Sequence, residues 1–235
     1  MTSPNFRKKE YLAPPNAPSL PIPGDTYLRG YHEQLNNAMR IYFNEIDNNF
    51  TGLLQANGGR FLGFPHIAAS DSTDQYADGN NDPTVVKWNT LDAGSGFILN
   101  APGSATAEYS GVYKITYSAQ LVNTVTNASH EAFFWLKIDS GSGFVDVPNS
   151  ATQFTIPAAK NNNTPSYVCG YSEVTFQVNG GDVVELWWAT DLAYNPTGPV
   201  QGVYIFHDAA QTTPYARPAI PSVIGSITFV SRLPT

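Results

Sequence analysis

The chain has 235 residues and a formal charge of −7, with a pI of about 4.9. Because a net negative charge repels phosphate groups, we expect neither nucleic acid nor an anionic membrane among its partners. Charged residues make up only 13% of the sequence, which is low for a soluble enzyme, and the length suits one large domain with an appendage.

Residues 1–24 predict an extended arm. Prolines recur through this stretch at Pro4, Pro14, Pro15, Pro18, Pro21 and Pro23, and such a segment stays near polyproline II rather than forming a core. We expect it to dock on a partner through apolar and basic side chains, namely Phe6, Arg7, Lys8, Lys9, Tyr11 and Leu12. The alternative is a tail without a partner. The first residues lack the apolar region of a signal peptide, so we expect the chain to fold in a cytoplasm.

Residues 25–56 form the only long segment with helical periodicity. Pro23 and Gly24 block a helix upstream, and Asp25 or Thr26 can cap its first turn. Apolar side chains recur every seven residues in two offset series, Leu28, Leu35 and Tyr42, and Met39, Ile46 and Leu53. This heptad seam predicts a helix that associates with copies of itself. The alternative is a helix that packs on the β-domain of its own chain.

Residues 60–235 predict a β-domain. The stretches 112–122, 131–139, 166–178 and 182–190 alternate between two faces. Further strands are predicted at 61–70, 84–90, 97–100, 104–109, 202–206 and 222–230, with a turn at 92–96 and 102–103 and hairpin turns at 139–143 and 179–182. About ten short strands without βαβ alternation predict an antiparallel sandwich. The outward aromatic side chains Phe133, Trp135 and Trp187 are expected at a subunit interface.

No catalytic, cofactor or metal site is predicted. The histidines lack zinc spacing, and neither a nucleophile elbow nor a phosphate-binding loop is present. We interpret Cys169 as a small buried residue. A pair of distant carboxylates that cleaves glycans is the enzymatic alternative, drawn from Glu108, Glu131, Glu173 and Glu185.

One loop is rich in side-chain oxygens. Its residues are Asp71, Asp74, Asp78, Asn80, Asn81 and Asp82. We interpret it as a solvated acidic loop, and the alternative is a calcium site, because calcium takes six to eight oxygen ligands.

Five segments carry a resemblance to known proteins. They are FPHIAASDSTDQ (64–75), TVVKWNT (84–90), GVYKITYSAQL (111–121), GDVVELWWATD (181–191) and AAQTTPYARPAIPSVI (209–224). This set resembles a jelly-roll module in structural proteins of tailed phages, especially marine ones. It is also similar to the trimeric jelly roll of the complement-globular-head and tumour-necrosis-factor type.

The resemblance implies a homotrimeric virion protein with a ten-stranded jelly roll, assembled in the host cytoplasm. It also implies aromatic residues near a threefold axis, for which Tyr113, Tyr117, Trp187, Tyr204 and Phe229 are candidates. The expected protein is mainly β: an antiparallel jelly-roll sandwich preceded by one long helix and an extended proline-rich arm.

The expected function is structural and not enzymatic. The arm docks on other virion proteins of the capsid or tail, the helix associates, and the jelly roll forms a trimeric knob, fibre or decoration. The alternative is a host-receptor or carbohydrate-binding module of a tail fibre, in which loop aromatics such as Tyr76, Tyr194 and Tyr215 contact a host surface glycan.

Overall fold

The computed structural model describes residues 18–22, 29–54, 64–100, 102–161, 164–198 and 201–233. For residues 49–54 it describes the backbone alone. The chain divides into two units, Met1–Gly63 and Phe64–Thr235. The predicted docking residues Phe6, Arg7, Lys8, Lys9, Tyr11 and Leu12 lie outside the described residues, and residues 18–22 have no regular secondary structure.

The first unit contains helix α1, Arg29–Leu54, which confirms a long helix ahead of the β-structure. Several of its apolar side chains are open to solvent, with exposed fractions of 40% for Met39, 51% for Ile41 and 52% for Phe43. The seam residues Leu35, Tyr42 and Ile46 are half-buried. Leu28 and the Leu53 side chain lie outside the described part, and the association of the seam stays a prediction. No helix in the described ranges has the length and apolar character needed to cross a membrane.

The second unit contains thirteen described strands in chain order. They are β1 (His66–Asp71), β2 (Thr84–Val85), β3 (Thr90–Ser95), β4 (Phe97–Asn100), β5 (Ser104–Ala107), β6 (Gly111–Asn123), β7 (His130–Asp139), β8 (Phe144–Asp146), β9 (Thr152–Ile156), β10 (Ser166–Val178), β11 (Val183–Thr190), β12 (Val203–Ile205) and β13 (Val223–Ser231).

These strands build two antiparallel sheets. Sheet I has the order β10-β6-β13-β1-β3, with β12 also pairing with β6. Sheet II has the order β4-β5-β11-β7-β8, with β2 pairing with β11 and β9 with β7. The predicted antiparallel sandwich is thereby confirmed, and the arrangement is consistent with a jelly roll.

The core lies between the two sheets. The positions of β6 that share one face by alternation are all buried: Tyr113, Ile115, Tyr117, Ala119 and Leu121. From sheet II, Phe134, Leu136, Leu186 and Trp188 meet them. Burial of these apolar surfaces is the main driving force for folding. It also raises the pKa of the Tyr117 phenol to about 12, because the charged form is disfavoured away from water.

Several predicted elements differ in the structure. Residues 92–96, predicted as a turn, lie largely in β3, where they pair with β1 as an edge strand. Of residues 84–90, only Thr84–Val85 (β2) and Thr90, the first residue of β3, lie in strands. Strands β8 and β9 had not been predicted, because the alternating stretches within residues 144–156 are short and Pro148 and Asn149 interrupt them. These differences arise because pairing with distant strands overrides local composition.

The turn at Asn179–Asp182 had been predicted to close a hairpin, and this was wrong. A turn does form there, with the Asp182 amide donating to the Asn179 carbonyl at 3.1 Å. However, β10 pairs with β6 in sheet I and β11 with β7 in sheet II. The turn therefore carries the chain from one sheet to the other. The predicted hairpin turn at Asp139–Gly143 is confirmed, since β7 and β8 pair directly.

Gly225 allows the two sheets to close around Trp88. The indole of Trp88 lies directly against the backbone of Gly225, in the space where a Cβ atom would stand. Trp88 is 9% exposed, so its ring fills the core at this point. Any larger residue at position 225 must displace the indole or the strand.

We predict that Gly225→Ala destabilises the protein because its methyl group would overlap the Trp88 ring. Such overpacking costs about 1–3 kcal/mol or more in free energy of unfolding. Urea unfolding, followed by tryptophan fluorescence, measures the change. Gly79→Ala is the matched control, since a Cβ there would stand at an ordinary 3.5 Å from Asp82 Cβ, and its stability should stay within about 0.5 kcal/mol. Equal losses in the two variants would contradict the prediction.

Candidate functional site: the two outer faces of the sandwich

The outer face of sheet I is poor in charge. On the described strands β6, β10 and β13, the outward charged side chains are Lys114 and Glu173, whose ammonium and carboxylate groups are 3.5 Å apart. The middle of the face consists of small side chains, with Thr116 and Ser226 sharing a hydrogen bond of 2.8 Å and Ser118 beside them in the next row. Because these side chains are short, another protein surface can approach the backbone of the sheet closely here.

Large apolar side chains surround this low area. Four of them are strongly exposed: Tyr167 at 58%, Tyr171 at 60%, Ile224 at 48% and Val230 at 55%. Charge depletion together with exposed aromatic residues is the composition typical of the centre of a protein–protein interface. The face is therefore suited to covering by a protein surface.

Five aromatic rings form a continuous cluster at one end of this face: Tyr76, Tyr194, Tyr204, Phe206 and Tyr167. The ring centroids of Tyr194 and Tyr204 are 4.9 Å apart, those of Tyr76 and Tyr204 are 5.4 Å apart, and those of Tyr167 and Phe206 are 5.4 Å apart. We call this group the aromatic cluster.

The aromatic cluster covers the outward side of β6. Val122 points outward by alternation, yet it is fully buried, because its direct cross-strand partners are Tyr167 and Tyr204. Burial raises the pKa of the Tyr204 phenol, and the negative charge of Asp74 raises it further. Tyr204 thus stays neutral at ordinary pH.

The five aromatics that the resemblance implied near a threefold axis separate into different environments. Tyr113 and Tyr117 are core residues with exposures of 0% and 2%, so they are not available to a neighbouring subunit and that part of the prediction was wrong. Phe229 packs edge-on against Tyr113, with ring centroids 5.6 Å apart. Tyr204 lies on the outer face of sheet I, whereas Trp187 lies on sheet II. Alternation shows only which residues share a face. It does not show which face is inside, so it could not separate Tyr113 and Tyr117 from Tyr204.

The outer face of sheet II differs in being charged. Outward positions on β7 are Glu131, Phe133, Trp135, Lys137 and Asp139, and on β11 they are Val183, Glu185 and Trp187. Trp135 and Trp187 are direct cross-strand partners, and both are half-buried. The expectation that these aromatics point outward is met, while their predicted place at a subunit interface stays a prediction.

Both indoles are tied to carboxylates in the adjacent row of the sheet. Trp135 Nε1 donates to Asp146 Oδ1 at 2.9 Å, and Trp187 Nε1 donates to Glu185 Oε2 at 2.8 Å. Lys137 lies between these carboxylates in register. Its ammonium is 4.3 Å from the centroid of the Trp187 ring and 3.6 Å from Asp146 Oδ1. We call this group the tryptophan pair and its charged row.

The environment of Glu185 is partly apolar. Burial raises the pKa of its carboxyl group, while the Trp187 hydrogen bond and the Lys137 charge act in the opposite direction. Its oxygens therefore lie where water competes weakly for hydrogen bonds.

The oxygen-rich loop is organised by its own hydrogen bonds. Asp74 accepts from the His207 amide at 2.8 Å, Asn80 accepts from the Ala193 amide at 2.8 Å, and Asp71 accepts from the Thr73 amide at 2.8 Å. Within the described ranges, no three His, Cys, Asp or Glu side chains converge on a point that could hold a metal ion. These oxygens fix loop geometry.

Cys169 differs from its prediction. It is exposed on β10, where Gln120 Nε2 lies 3.6 Å from its sulfur. It had been interpreted as buried because it lies in a strand-like run. It directly follows the inward Val168, so the two-residue alternation of the strand places its side chain on the outer face of sheet I.

The last of the resembling segments forms a closed loop ahead of β13. Asp208 pairs with Ile220, and Gln211 pairs with Arg217. The Arg217 guanidinium binds the Asp208 carboxylate and the Ala209 carbonyl at 3.2 Å. Tyr215 stands at the tip of this loop and is 64% exposed.

Asp191 holds the start of the loop that carries Tyr194. Its carboxylate accepts from the Glu131 amide at 2.9 Å and contacts His130 Nδ1 at 2.9 Å. Burial acts to raise the pKa of Asp191, but the bonds from Glu131 and His130 outweigh it, and the pKa lies below its ordinary value. The carboxylate form thereby stabilises this end of the sandwich.

Comparisons with known proteins identify no family and give structural matches of low similarity. No protein-family model matches the chain, and no curated protein matches it. Among solved structures, the globular domain of a zebrafish complement 1qA protein has a TM-score of 0.41 at 11% identity, over 72% of this chain and 99% of that one. Murine APRIL has a TM-score of 0.40 at 12% identity, over 71% of this chain and 99% of that one. Both are jelly-roll folds, and identities this low imply nothing about ligands or assembly.

We predict that the contribution of Asp191 to stability is lost in acid. Because its folded pKa is depressed, the contribution is complete above the ordinary value of 3.8 and disappears as the pH falls through the folded pKa. Asp191→Asn keeps the size and the acceptor for the Glu131 amide but removes the charge. The difference in free energy of unfolding between wild type and variant, measured in urea from about pH 6 to about pH 3, should shrink towards low pH. A difference that does not vary with pH would contradict this assignment.

Proposed function

We propose that this chain is a structural protein of a tailed-phage virion and that it forms a homotrimer through the outer face of sheet I. The observation that carries the self-association is the contrast between the two outer faces. Along β6, β10 and β13, sheet I presents small, uncharged polar and apolar side chains with one exposed ion pair. Sheet II presents a row of charges whose desolvation would be costly.

The exposed tyrosines and the small central residues would contribute to such an interface in different ways. Small side chains such as Ser118 and Ser226 allow backbones to approach, and tyrosines such as Tyr167 and Tyr171 supply large contact areas. Aromatic residues that become buried in an interface contribute much of its binding energy. The sheet therefore supplies the larger part of the association energy in this proposal.

Helix α1 supports the same assembly. Its exposed Met39 and half-buried Leu35, Tyr42 and Ile46 follow the heptad spacing, and such a stripe is covered when copies of the helix meet. In this proposal the helix sets the register of the subunits.

The virion assignment is supported by the resemblance of residues 64–75, 84–90, 111–121, 181–191 and 209–224 to phage structural proteins. The protein acts without catalysis, and its arm, residues 1–24, docks on other virion proteins of the capsid or tail. Three arms on one trimer raise the effective concentration of each, so individually weak contacts become persistent. The trimer is then a knob, a short fibre or a decoration of the particle, completed in the host cytoplasm.

A second candidate function is recognition of a host receptor or carbohydrate. The observation that favours it is the tryptophan pair on sheet II, because in the proposed trimer this face is opposite to the interface and accessible. In this proposal Trp135 and Trp187 do not take the interface place that the sequence predicted for them. The loop aromatics Tyr76 and Tyr194 belong instead to the aromatic cluster, where their rings contact each other and Tyr204.

We predict that Ile224→Glu converts the trimer to monomers. Ile224 is 48% exposed on the outer face of sheet I, so the substitution is compatible with the folded subunit. In the trimer, each buried and unpaired carboxylate costs about 3–5 kcal/mol. Light scattering of the full-length protein at micromolar concentration measures the mass. Ile98→Glu is the matched control, since Ile98 is 52% exposed on sheet II, and it should remain trimeric. A trimeric Ile224→Glu variant, or a monomeric wild type, would refute the interface.

We predict that deletion of residues 1–24 abolishes incorporation into particles and leaves the trimer intact, because the arm supplies docking but not subunit contacts. Quantitative mass spectrometry of purified particles measures incorporation, and light scattering measures the trimer. A variant with the same arm composition in scrambled order controls for length and should also fail to incorporate. Normal incorporation of the deletion variant would show that residues 1–24 are not the docking segment.

A further inference from the structure

We infer that the tryptophan pair and its charged row on sheet II form a binding site for a neutral hexose glycan. This inference rests on the second candidate function, because it supplies a recognition site to a protein whose other proposed surfaces serve assembly. It does not depend on the arm, and it requires only that sheet II stays uncovered in the assembly. It is carried by the arrangement of Trp135, Trp187, Asp146, Glu185 and Lys137.

The floor of the site is aromatic. Trp135 and Trp187 lie opposite each other on adjacent strands, which are about 4.8 Å apart in a sheet. Phe133 follows on the same face of β7, and Val85 pairs with Trp187 on the far side. These half-buried rings form an apolar strip on the outer face. The Lys137 ammonium lies 4.3 Å from the centroid of the Trp187 ring and covers part of that ring, so the patch of C–H groups on one side of a hexose stacks chiefly on Trp135.

The indoles are held in place before any ligand arrives. Each ring nitrogen donates to a carboxylate in the adjacent row, at 2.9 Å for Trp135 and 2.8 Å for Trp187. These bonds tie one edge of each ring to the sheet and restrict its rotation. A platform ordered in advance loses less entropy on binding, which favours affinity.

The rim supplies hydrogen-bond acceptors. An ionised carboxylate has about four lone-pair sites, and each indole uses one site on Asp146 or Glu185. The remaining sites suit the hydroxyl donors around a hexose ring. At the other end of the strip, Gln153 pairs with Phe133 and is exposed, which adds an amide that both donates and accepts. An apolar floor with a few convergent polar groups is the usual composition of a small-ligand site.

The charges restrict the class of ligand. Two carboxylates and one ammonium leave the row with net negative charge, and the chain as a whole carries −7, so sulfated or sialylated glycans and nucleic acids are repelled. A cationic ligand is disfavoured for another reason. The Lys137 ammonium already lies 4.3 Å from the Trp187 ring centroid, so a second cation would meet like charge there. Neutral hexoses satisfy both conditions.

The experiment applies the full-length protein to an array of immobilised neutral hexose oligosaccharides together with sulfated and sialylated counterparts. We expect binding to neutral members and none to the anionic ones. The strongest neutral oligosaccharide is then titrated in solution by calorimetry. The double variant Trp135→Ala/Trp187→Ala should bind at least about tenfold more weakly, on the scale of lost aromatic contacts. Trp187→Phe keeps an aromatic face without the ring N–H and should retain part of the affinity, which guards against a loss caused by misfolding.

Tyr171→Ala is the matched control, because it removes an exposed aromatic ring from sheet I and should leave glycan affinity unchanged. Light scattering of every variant separates this inference from the trimer. An array with no neutral binding, a preference for anionic glycans, or equal affinity in the double variant would overturn the glycan site. Dissociation of the trimer by the double variant would show that a protein surface covers this face, and would overturn it too. Failure of Ile224→Glu to give monomers would refute the interface and leave the glycan result untouched.

Discussion

The sandwich depends on the alternation of strand β6. This strand pairs with β10 along thirteen residues on one edge and with β13 and β12 on the other. Its odd positions, from Tyr113 to Leu121, form the core, and its even positions form the middle of the outer face of sheet I. Because side chains alternate with a period of two, a slip of one residue would exchange the two sets. The core and the proposed interface are therefore two consequences of one register.

The two outer faces differ in the free-energy cost of removing water from them. On sheet I, the small hydroxyl groups of Thr116 and Ser226 bond to each other, so covering them with another surface leaves few groups without partners. On sheet II, Lys137, Asp146 and Glu185 form a charged row, and covering it with an apolar surface would require removing several ions from water. The same row remains useful to a ligand that brings hydroxyl donors. The sandwich thus separates a face suited to assembly from a face suited to recognition.

Aromatic residues serve at least three purposes in this molecule, and burial decides which. Tyr117 contacts Phe134 in the core at a centroid distance of 5.6 Å, whereas Tyr204 joins the aromatic cluster at the surface. Trp188 is wholly buried while its neighbour Trp187 faces solvent. Neighbouring residues of one type therefore have unrelated roles. Their chemistry is shared, but the dielectric and the available partners differ at each place.

The sequence by itself determined the class of the fold, the long helix and which residues of β6, β7 and β11 share a face. It did so because periodicity is local. Two-residue alternation and seven-residue spacing follow from the order of neighbouring residues and do not depend on contacts with distant parts of the chain. The association of the helix seam and the docking of the arm stay predictions from the same patterns.

Only the tertiary structure decided how the strands are distributed between the sheets. The turn at Asn179–Asp182 is as compatible with a hairpin as with a passage between sheets, and the partners of β10 and β11 settle it. In the same way, the tertiary structure placed Tyr113 and Tyr117 in the core and Cys169 at the surface, and it brought Trp135 beside Trp187, which is distant in the chain. Which face is inside is a non-local property, because it depends on the surface that the second sheet covers.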